Sequence, residues 1–245
     1  MNSMKIKLNH YNKELLNIDK ELQTLPQGHL GKRGSSYYHY INREERIGIS
    51  KNPERIQQLC RKEYIQLRSS QIENNLVVTS PSDIDSRTPL ELIASLRKAY
   101  QDVPISYFYH PSIAAWLAKP KKTNTLYPES AIYSYNGINF RSIAERTIAE
   151  QLDNYGLLFQ YEPTYDLGHT KLSPDFLIIN PFNAKTVIWE HFGAFNQKDY
   201  ADSMNSKMDI YIKLGYNQSK NLIATYQYHI RKIERIQELI EQIIL

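Results

Sequence analysis

The chain has 245 residues, of which 41% are hydrophobic and 23% charged, and both values are ordinary for a globular protein. Its N-terminal residues are polar and no apolar run approaches the ~20 residues needed to cross a bilayer, so neither a secretory signal nor a membrane span is predicted. The single cysteine, Cys60, excludes an intrachain disulfide framework and a cysteine-rich zinc cluster, and an intracellular, cytoplasmic protein is expected.

Positive charge is concentrated in the N-terminal third of the chain. Residues 1–76 carry 13 Lys and Arg against 8 Asp and Glu, whereas residues 77–245 carry 17 against 18. A basic segment beside a nearly neutral one favours a polyanionic partner such as nucleic acid. A chance imbalance on a solvated surface explains the same numbers equally well.

Residues 1–76 are predicted to form a small α+β module. Apolar residues at spacings of three and four predict a helix over 5–24, and strand-like runs separated by turns predict a three-stranded antiparallel sheet over 29–50. Pro53 suits the first position of a second helix, which extends to about residue 75. The candidate nucleic-acid contacts are basic and tyrosine side chains of the sheet and its turns, namely Lys32, Arg33, Tyr38, Tyr40 and Arg43. Tyrosines that simply favour strands account for the tyrosine-rich run equally well.

Residues 77–124 are predicted to be a linker followed by short helices. The stretch 77–87 breaks the periodic pattern, and helices are predicted at 89–100 and 111–118. The second helix leads into a basic turn, in which Lys121 and Lys122 are candidate phosphate contacts.

Residues 125–245 are predicted to form a mixed α/β domain. Asn136-Gly137 is a strong signal for a hairpin turn. Ser142 can cap the next helix, with Glu145 three residues later closing a capping box. The elements that follow the hairpin are a helix at 142–155, a strand at 157–161, strands at 173–179 and 186–193, a helix at 197–214, a strand at 221–225 and a helix at 230–244. Apart from the last helix the order is αβββαβ, which is typical of a mixed α/β fold.

Two carboxylates are embedded in the apolar strand pair of this domain. Asp175 lies near the start of the first strand, and Glu190 lies near the end of the second. Turn residues between the strands predict an antiparallel hairpin, which places the two acids side by side at one end. Two acids in an apolar sheet repel each other and are costly to desolvate unless positive charge lies between them. A divalent cation bound through oxygen is the natural candidate.

Between about residues 127 and 225 the chain resembles the PD-(D/E)XK nuclease superfamily. The matching residues are Glu145 on the capped helix, Asp175 directly after Pro174, and Glu190 in the run Trp189-Glu190-His191-Phe192-Gly193. Tyr161-Glu162 before the hairpin also suits the group. The resemblance implies a restriction-endonuclease-like core in which a mixed sheet is flanked by helices.

The resemblance also implies a magnesium site in which Mn²⁺ can substitute. Asp175, Glu190 and the backbone carbonyl of His191 would hold the ion, and Glu145 would hold a water bound to the ion or a second ion. Such an ion makes water nucleophilic at neutral pH and stabilises the charge that develops during phosphodiester hydrolysis. Glu145 as a helix-capping residue and Asp175 as a turn acid are the simpler readings. The His191 side chain is either a titrating group of the site or a packed residue behind the sheet.

One position departs from the family pattern. Where the family carries a lysine two residues after the second acid, this chain carries Phe192, although strand alternation aims that position at the same site. Lys207 in the next helix is the first candidate to replace the lysine and Lys198 is the second. A solvated helix lysine is the ordinary reading of both residues.

The acid pair and the resemblance together imply a metal-dependent (endo)nuclease with DNA as the expected substrate, while the choices between DNA and RNA and between endo- and exonuclease stay open. Lys119, Lys121, Lys122 and the N-terminal arginines are the expected salt-dependent phosphate contacts. A catalytically silent protein of this fold that binds nucleic acid or a partner is the first alternative, favoured by Phe192. A nuclease subunit of a larger assembly is the second, formed as a homodimer or with a partner through the 89–118 helices or the C-terminal helix. The Lys-, Asn-, Ile- and Tyr-rich composition fits a bacterial, phage or plasmid origin and, by analogy, a role in defence or in a mobile element.

Overall fold

A computed structural model describes residues 2–78, 80–118, 123, 130–166, 171–193, 198–218 and 220–244. The structure is mixed α/β, with a three-stranded sheet, a four-stranded sheet and two two-stranded ribbons. The chain divides into two compact units, Met1–Pro111 and Ser112–Leu245. The division falls inside the segment 77–124 that the sequence analysis assigned to linker and short helices. Among the described residues, no helix is both long and apolar enough to span a membrane.

The first unit is built on an antiparallel sheet that packs against a long helix. Asn52 caps that helix by accepting a hydrogen bond from the Arg55 N–H at 2.9 Å, and Pro53 takes the first helical position. The elements of this unit are α1 (Asn2–Leu22), β1 (His29–Arg33), β2 (Ser36–Tyr40), β3 (Arg46–Gly48), α2 (Pro53–Val77) and α3 (Pro89–Ala94), with 3₁₀ turns at Pro81–Asp83, Lys98–Tyr100 and Ile105–Phe108. The strand order is β1-β2-β3.

Two arginines that were expected to be available to phosphates are instead paired inside this unit. Arg61 of α2 donates two hydrogen bonds to Glu21 of α1, both at 2.8 Å, and Arg68 donates to Glu14 at 2.8 and 3.0 Å. The Arg61 residue is only 4% exposed. Bidentate guanidinium–carboxylate pairs are stronger than neutral hydrogen bonds. These two arginines therefore link α1 to α2, and phosphate binding is not their role in this structure.

The helix predicted over 89–100 ends early. Thr88 and Glu91 form a reciprocal capping box at its start, as the Thr88 hydroxyl and the Glu91 carboxylate each accept the other's backbone N–H. At its end, the Gln101 amide donates to the carbonyls of residues 93, 94 and 96 at 2.8–3.1 Å. Because this side chain takes up the free carbonyls of the last turn, α3 stops at Ala94 and the chain continues as a 3₁₀ turn.

The second unit contains a mixed four-stranded sheet in the order Leu222–Tyr226 (β11), Thr186–Phe192 (β10), Phe176–Ile179 (β9) and Leu158–Tyr161 (β6). The β10–β11 pair is parallel, and the other two pairs are antiparallel. The elements of this unit are α4 (Ile113–Ala118), β4 (Tyr133–Tyr135), β5 (Ile138–Phe140), α5 (Ile143–Asn154), β6 (Leu158–Tyr161), β7 (Tyr165–Asp166), β8 (Lys171–Leu172), β9 (Phe176–Ile179), β10 (Thr186–Phe192), α6 (Lys198–Lys213), β11 (Leu222–Tyr226) and α7 (Ile233–Leu239), which continues as a π-helical turn at Ile240–Ile244. The order α5-β6-β9-β10-α6-β11 follows the predicted αβββαβ pattern, with the β7–β8 ribbon inserted.

The two faces of this sheet are covered by different helices. Trp189, Phe176 and Ile178 pack in one core cluster with α5 and α7. Leu177 and Ile188 pack on the other side with residues of α6. Because side chains alternate along a strand, Asp175 and Glu190 fall on the α6 side, one step beyond Leu177 and Ile188. The sheet therefore presents both acids toward the same helix.

Candidate active site

The antiparallel pairing of β9 and β10 brings the two predicted acids together. Trp189 faces Phe176 in the ladder, so that Glu190 and Asp175 are the next facing positions. The backbone N–H of His191 donates to Asp175 Oδ2 at 2.6 Å, and the backbone N–H of Glu162 donates to the Asp175 carbonyl at 2.9 Å. Both carboxylates thus lie at one end of the hairpin, on one face, as the sequence predicted.

Glu190 is almost completely buried, being 1% exposed, and both of its carboxylate oxygens are bound by side chains of α6. Lys207 Nζ lies 2.7 Å from Glu190 Oε2, and the Tyr211 hydroxyl donates to Glu190 Oε1. Lys207 and Tyr211 are four residues apart, so they project from the same side of the helix. Lys207, which the sequence proposed as a substitute for the strand lysine, is therefore in direct contact with an acid of the site. Tyr211 lies in the run from Lys207 to Tyr211 that also suits the family, but it was not predicted as a site residue, although its position one helical turn after Lys207 was a usable signal.

Glu145 is held at the start of α5 by a neighbouring strand. The Ser142 hydroxyl caps the helix by accepting the Glu145 N–H at 3.1 Å, as predicted. The Glu145 carboxylate, however, accepts from the Arg141 N–H at 3.0 Å and from the Tyr161 hydroxyl at 2.6 Å, so the capping box expected with the Ser142 N–H does not form. The carboxylate therefore binds the N–H of Arg141, one residue before the Ser142 N–H that a capping box uses. The Tyr161 hydroxyl on β6 helps to hold it there.

A fourth acid, Glu162, joins the group from the end of β6. Its carboxylate lies 3.0 Å from the Arg141 guanidinium. Its backbone has a φ of 44°, a left-handed conformation that is uncommon for a residue with a side chain and is often found at functional sites. The charges of Glu190 and Lys207 both influence its ionisation, so Glu162 belongs electrostatically to the same cluster.

Burial makes three acids of this cluster, Asp175, Glu190 and Glu162, hold protons more tightly than exposed acids do. Burial raises the pKa of Asp175 well above its usual value, the Glu190 charge adds to the rise, and Lys207 and the His191 N–H oppose it. Burial likewise raises the pKa of Glu190, against the lowering effects of Lys207 and Tyr211. Desolvation also raises the pKa of Glu162, which the Arg141 charge partly offsets. Additional positive charge at this end of the sheet would favour the ionised form of these acids and lower their pKa values.

The donor set fits a hard divalent cation held by few protein groups. Four carboxylates meet here (Glu145, Glu162, Asp175 and Glu190), and among the described residues Arg141 pairs with Glu162 and Lys207 pairs with Glu190. No group of three or more His, Cys, Asp or Glu side chains in the described part of the chain is arranged to hold a metal ion by itself. Mg²⁺ usually keeps several waters and binds through one or two carboxylates, so the Asp175–Glu190 pair meets its need without a third side chain. Each carboxylate oxygen can accept more than one bond, which leaves Glu190 capacity beyond Lys207 and Tyr211.

His191 faces away from the acids, as the packed-residue reading predicted. Its Nδ1 lies 3.1 Å from the Thr225 hydroxyl, which also accepts from the Trp189 indole N–H at 2.9 Å. Desolvation lowers the pKa of His191 and favours the neutral ring. Its Nε2 has no hydrogen bond of normal geometry among the described residues, although the Gln227 side chain lies near enough to favour the charged form. Phe192 is 5% exposed, and its ring centroid lies 5.8 Å from that of Tyr226. The position at which the family carries its lysine is therefore apolar in this chain.

The predicted nucleic-acid contacts of the first unit lie on two faces of the β1-β2-β3 sheet. Arg33, Tyr38 and Tyr40 share one face, and Arg43 is exposed in the turn after β2. Lys32 lies on the opposite face, where its Nζ is 2.5 Å from Asp102 Oδ2. Lys32 therefore already has an anionic partner.

The other predicted basic contacts fall outside what the structure describes. Lys119, Lys121 and Lys122 lie outside the described residues, and the side chain of Lys198 is not described.

Comparison of the chain with protein-family models gives no match, and comparison with curated proteins and with solved structures gives no significant match. Fold class and site geometry therefore carry the functional argument.

Proposed function

We propose that the chain is a metal-dependent nuclease of the PD-(D/E)XK type that hydrolyses phosphodiester bonds, with DNA as the expected substrate and Mg²⁺ or Mn²⁺ as the ion. The observation that carries the proposal is the pair of buried acids, Asp175 and Glu190, at one end of an antiparallel hairpin with the Lys207 ammonium against one of them. Burial raises the pKa of both acids, and the Glu190 charge raises that of Asp175 further. Acids with perturbed pKa values are a recognised feature of functional sites.

Asp175, Glu190 and the backbone carbonyl of His191 would hold the ion, and Glu145 would hold a water bound to the ion or a second ion. The ion would lower the pKa of a water and stabilise negative charge on the phosphate. Other groups of the chain position the two strand carboxylates. The His191 N–H fixes the Asp175 carboxylate, and Tyr211 fixes Glu190. The Lys207 ammonium supplies a positive charge that can bind the scissile phosphate or orient the attacking water.

The order of elements supports the same family. In α5-β6-β9-β10-α6-β11 the helix that bears Glu145 comes first, the two acid-bearing strands pair next, and α6 returns the chain to a parallel strand. Lys207 reaches the site from α6, whereas the family pattern places its lysine on the strand at the position of Phe192. A bacterial, phage or plasmid origin with a role in defence or mobile elements remains an analogy from this resemblance.

A catalytically silent protein of the same fold is the second candidate. The observation that favours it is that Lys207 and Tyr211 already bind both oxygens of Glu190, so the protein itself satisfies this carboxylate. In that case the ammonium replaces the metal, and the acid cluster serves the fold. The two candidates differ in whether the ion binds and whether a phosphodiester bond breaks.

Cleavage of supercoiled plasmid, single-stranded DNA and RNA in Mg²⁺ and in EDTA tests the proposal. The wild-type chain should cut at least one of these substrates in Mg²⁺ and none in EDTA. Asp175→Asn should abolish cutting, since it removes one of the two strand carboxylates. Asp209→Asn, on the exposed side of α6, is the matched control and should cut as wild type does. Cutting by the Asp175 variant would reveal a contaminant, and failure of the wild type on every substrate would favour the silent protein.

A further inference from the structure

The three-stranded sheet of the first unit has one covered side and one open side. Leu30 and His39, on the covered side, are 1% and 7% exposed. The neighbouring positions along the strands alternate to the other side, where side chains are partly or fully exposed. The register assigns eight residues to that side, here called the tyrosine face: His29, Gly31, Arg33, Ser36, Tyr38, Tyr40, Arg46 and Gly48.

Aromatic rings lie together across the tyrosine face. The Tyr40 ring stacks on His29 with a centroid distance of 5.3 Å and an interplanar angle of 6°, and it is tilted against Tyr38 at 6.4 Å. Tyr40 lies directly over Gly31, because a Cβ built on this glycine would be 2.3 Å from Tyr40 Cε2. The glycine therefore allows the ring to lie flat on the strand, which forms a partly exposed aromatic platform.

Two arginines flank this platform. Arg33 faces Ser36 at the end of β1, and Arg46 faces Tyr40 from β3. The Arg46 guanidinium also lies 5.6 Å from the Tyr38 ring centroid. Desolvation would raise the pKa of the Tyr40 hydroxyl, but hydrogen bonds from Arg46 and Arg33 outweigh it and lower that pKa. Both guanidinium groups therefore lie near the Tyr40 hydroxyl, and a guanidinium has five N–H donors, more than this one oxygen can occupy.

The charge of the tyrosine face has one sign. Its strand positions carry two arginines and no Asp or Glu, and the nearest acids in the sequence, Glu44 and Glu45, lie in the turn beyond the strand end. The surface lies within the segment in which 13 basic residues outnumber 8 acidic ones. Three other basic residues of this unit, Lys32, Arg61 and Arg68, form ion pairs with acids. In the contacts described above, Arg33 and Arg46 instead lie against the Tyr40 hydroxyl, and Arg46 also lies against the Tyr38 ring.

We propose that the tyrosine face is a nucleic-acid-binding surface that contacts the sugar-phosphate backbone through Arg33 and Arg46 and a sugar or base through Tyr38 and Tyr40. Arginine forks suit phosphate oxygens, and aromatic platforms accept nucleotides without regard to sequence. Five-residue strands span roughly 15 Å, the rise of about four base pairs, so the face can contact several successive nucleotides. The site goes beyond the proposed nuclease centre because it belongs to the other unit and requires no metal.

Fluorescence anisotropy tests this surface with the full-length chain and labelled 24-mers, either duplex DNA or single-stranded DNA, at 50–200 mM NaCl. EDTA is present throughout, so that the result does not depend on whether the protein is a nuclease. Loss of two phosphate contacts in Arg33→Ala/Arg46→Ala should reduce the slope of log K against log salt by about 2 and the affinity at 0.1 M salt by roughly 60-fold. Tyr38→Ala/Tyr40→Ala should weaken binding while the salt slope changes little.

The matched control removes two exposed positive charges from α1, in Lys13→Ala/Lys20→Ala. It should bind with the wild-type slope. Whichever 24-mer binds more tightly identifies the form of nucleic acid that the face prefers. The proposal is overturned if neither 24-mer binds, if the control loses as much as the arginine variant, or if polyglutamate of equal charge competes as well as DNA. Circular dichroism of each variant verifies that the exposed substitutions leave the fold intact.

Discussion

Replacing Asp175 by Asn should stabilise the protein in the absence of metal at high pH. Burial and the Glu190 charge raise the folded-state pKa of Asp175 above its unfolded value of about 3.9. The folded protein therefore binds this proton more tightly than the unfolded chain does. The resulting stability is fully present below the unfolded pKa and is lost as pH rises through the raised folded pKa.

The size of the effect follows from what surrounds the side chain. The His191 N–H donates to Asp175, and an Asn oxygen at the same place can still accept this bond. The substitution therefore removes a charge beside Glu190 while it keeps the hydrogen bond. Removal of a buried negative charge that the Glu190 charge opposes is expected to stabilise the fold by about 1–3 kcal/mol at pH 8 and by almost nothing at pH 4.

Urea unfolding in EDTA, followed by the fluorescence of the fully buried Trp189, measures this difference. Mg²⁺ should stabilise the wild-type protein more as pH rises, by about 2.7 kcal/mol at 100 times its Kd, and should leave the Asn variant nearly unchanged. Asp209→Asn should show neither change. An Asn variant less stable than wild type at pH 8 in EDTA would refute the reasoning.

Three further substitutions test the partners named above. Tyr211→Phe should destabilise the second unit by about 1–3 kcal/mol in urea unfolding, because it removes a buried hydrogen bond to charged Glu190. Lys207→Met should destabilise the metal-free protein increasingly as pH rises through the raised pKa of Glu190, which then ionises without its ammonium, and should abolish plasmid cleavage. Gly31→Ala should weaken DNA binding roughly tenfold by displacing a ring of the tyrosine face, whereas Gly48→Ala should not, because its Cβ meets the nearest ring at an ordinary 4.0 Å.

Each of these has its own contrary outcome. Wild-type stability of Tyr211→Phe would mean that its hydroxyl does not hold Glu190. Unchanged cleavage by Lys207→Met would assign the catalytic cation to another residue, with Lys198 as the next candidate. Equal DNA affinity of the Gly31→Ala and Gly48→Ala variants would mean that the aromatic platform does not contribute to DNA binding. Tyr216→Phe, on a partly buried ring at the end of α6, is the control for the loss of a hydroxyl.

The sequence predicted the backbone of the site better than its side-chain partners. Alternating apolar runs with turn residues between them are local signals, and they sufficed to place Asp175 and Glu190 side by side. The contact between Lys207 and Glu190 depends on how α6 docks on the sheet, which no local pattern specifies. The sequence could therefore name Lys207 only as a candidate to replace the missing strand lysine. Its contact with Glu190 follows from the tertiary packing of α6 on the sheet.

Misjudged details have similar causes. The helix over 89–100 was expected to continue, but Gln101 caps it after Ala94 from seven residues further on. The Glu145 carboxylate was expected to accept the N–H of its own N-cap, Ser142, but it accepts the N–H of Arg141 one residue earlier and the hydroxyl of Tyr161 from β6. In each case a side chain distant in sequence competes with the local rule. Arg46 was overlooked because its exposed strand looks ordinary until the register places it opposite Tyr40.

The most direct measurement is anomalous diffraction from a crystal of the chain grown with Mn²⁺. A divalent ion shared by the two strand acids should give a peak at roughly 2.0–2.6 Å from a carboxylate oxygen of both Asp175 and Glu190, and this peak should vanish in Asp175→Asn. An empty position between these carboxylates, with the Lys207 ammonium still against Glu190, would contradict the metal site and with it the proposed nuclease.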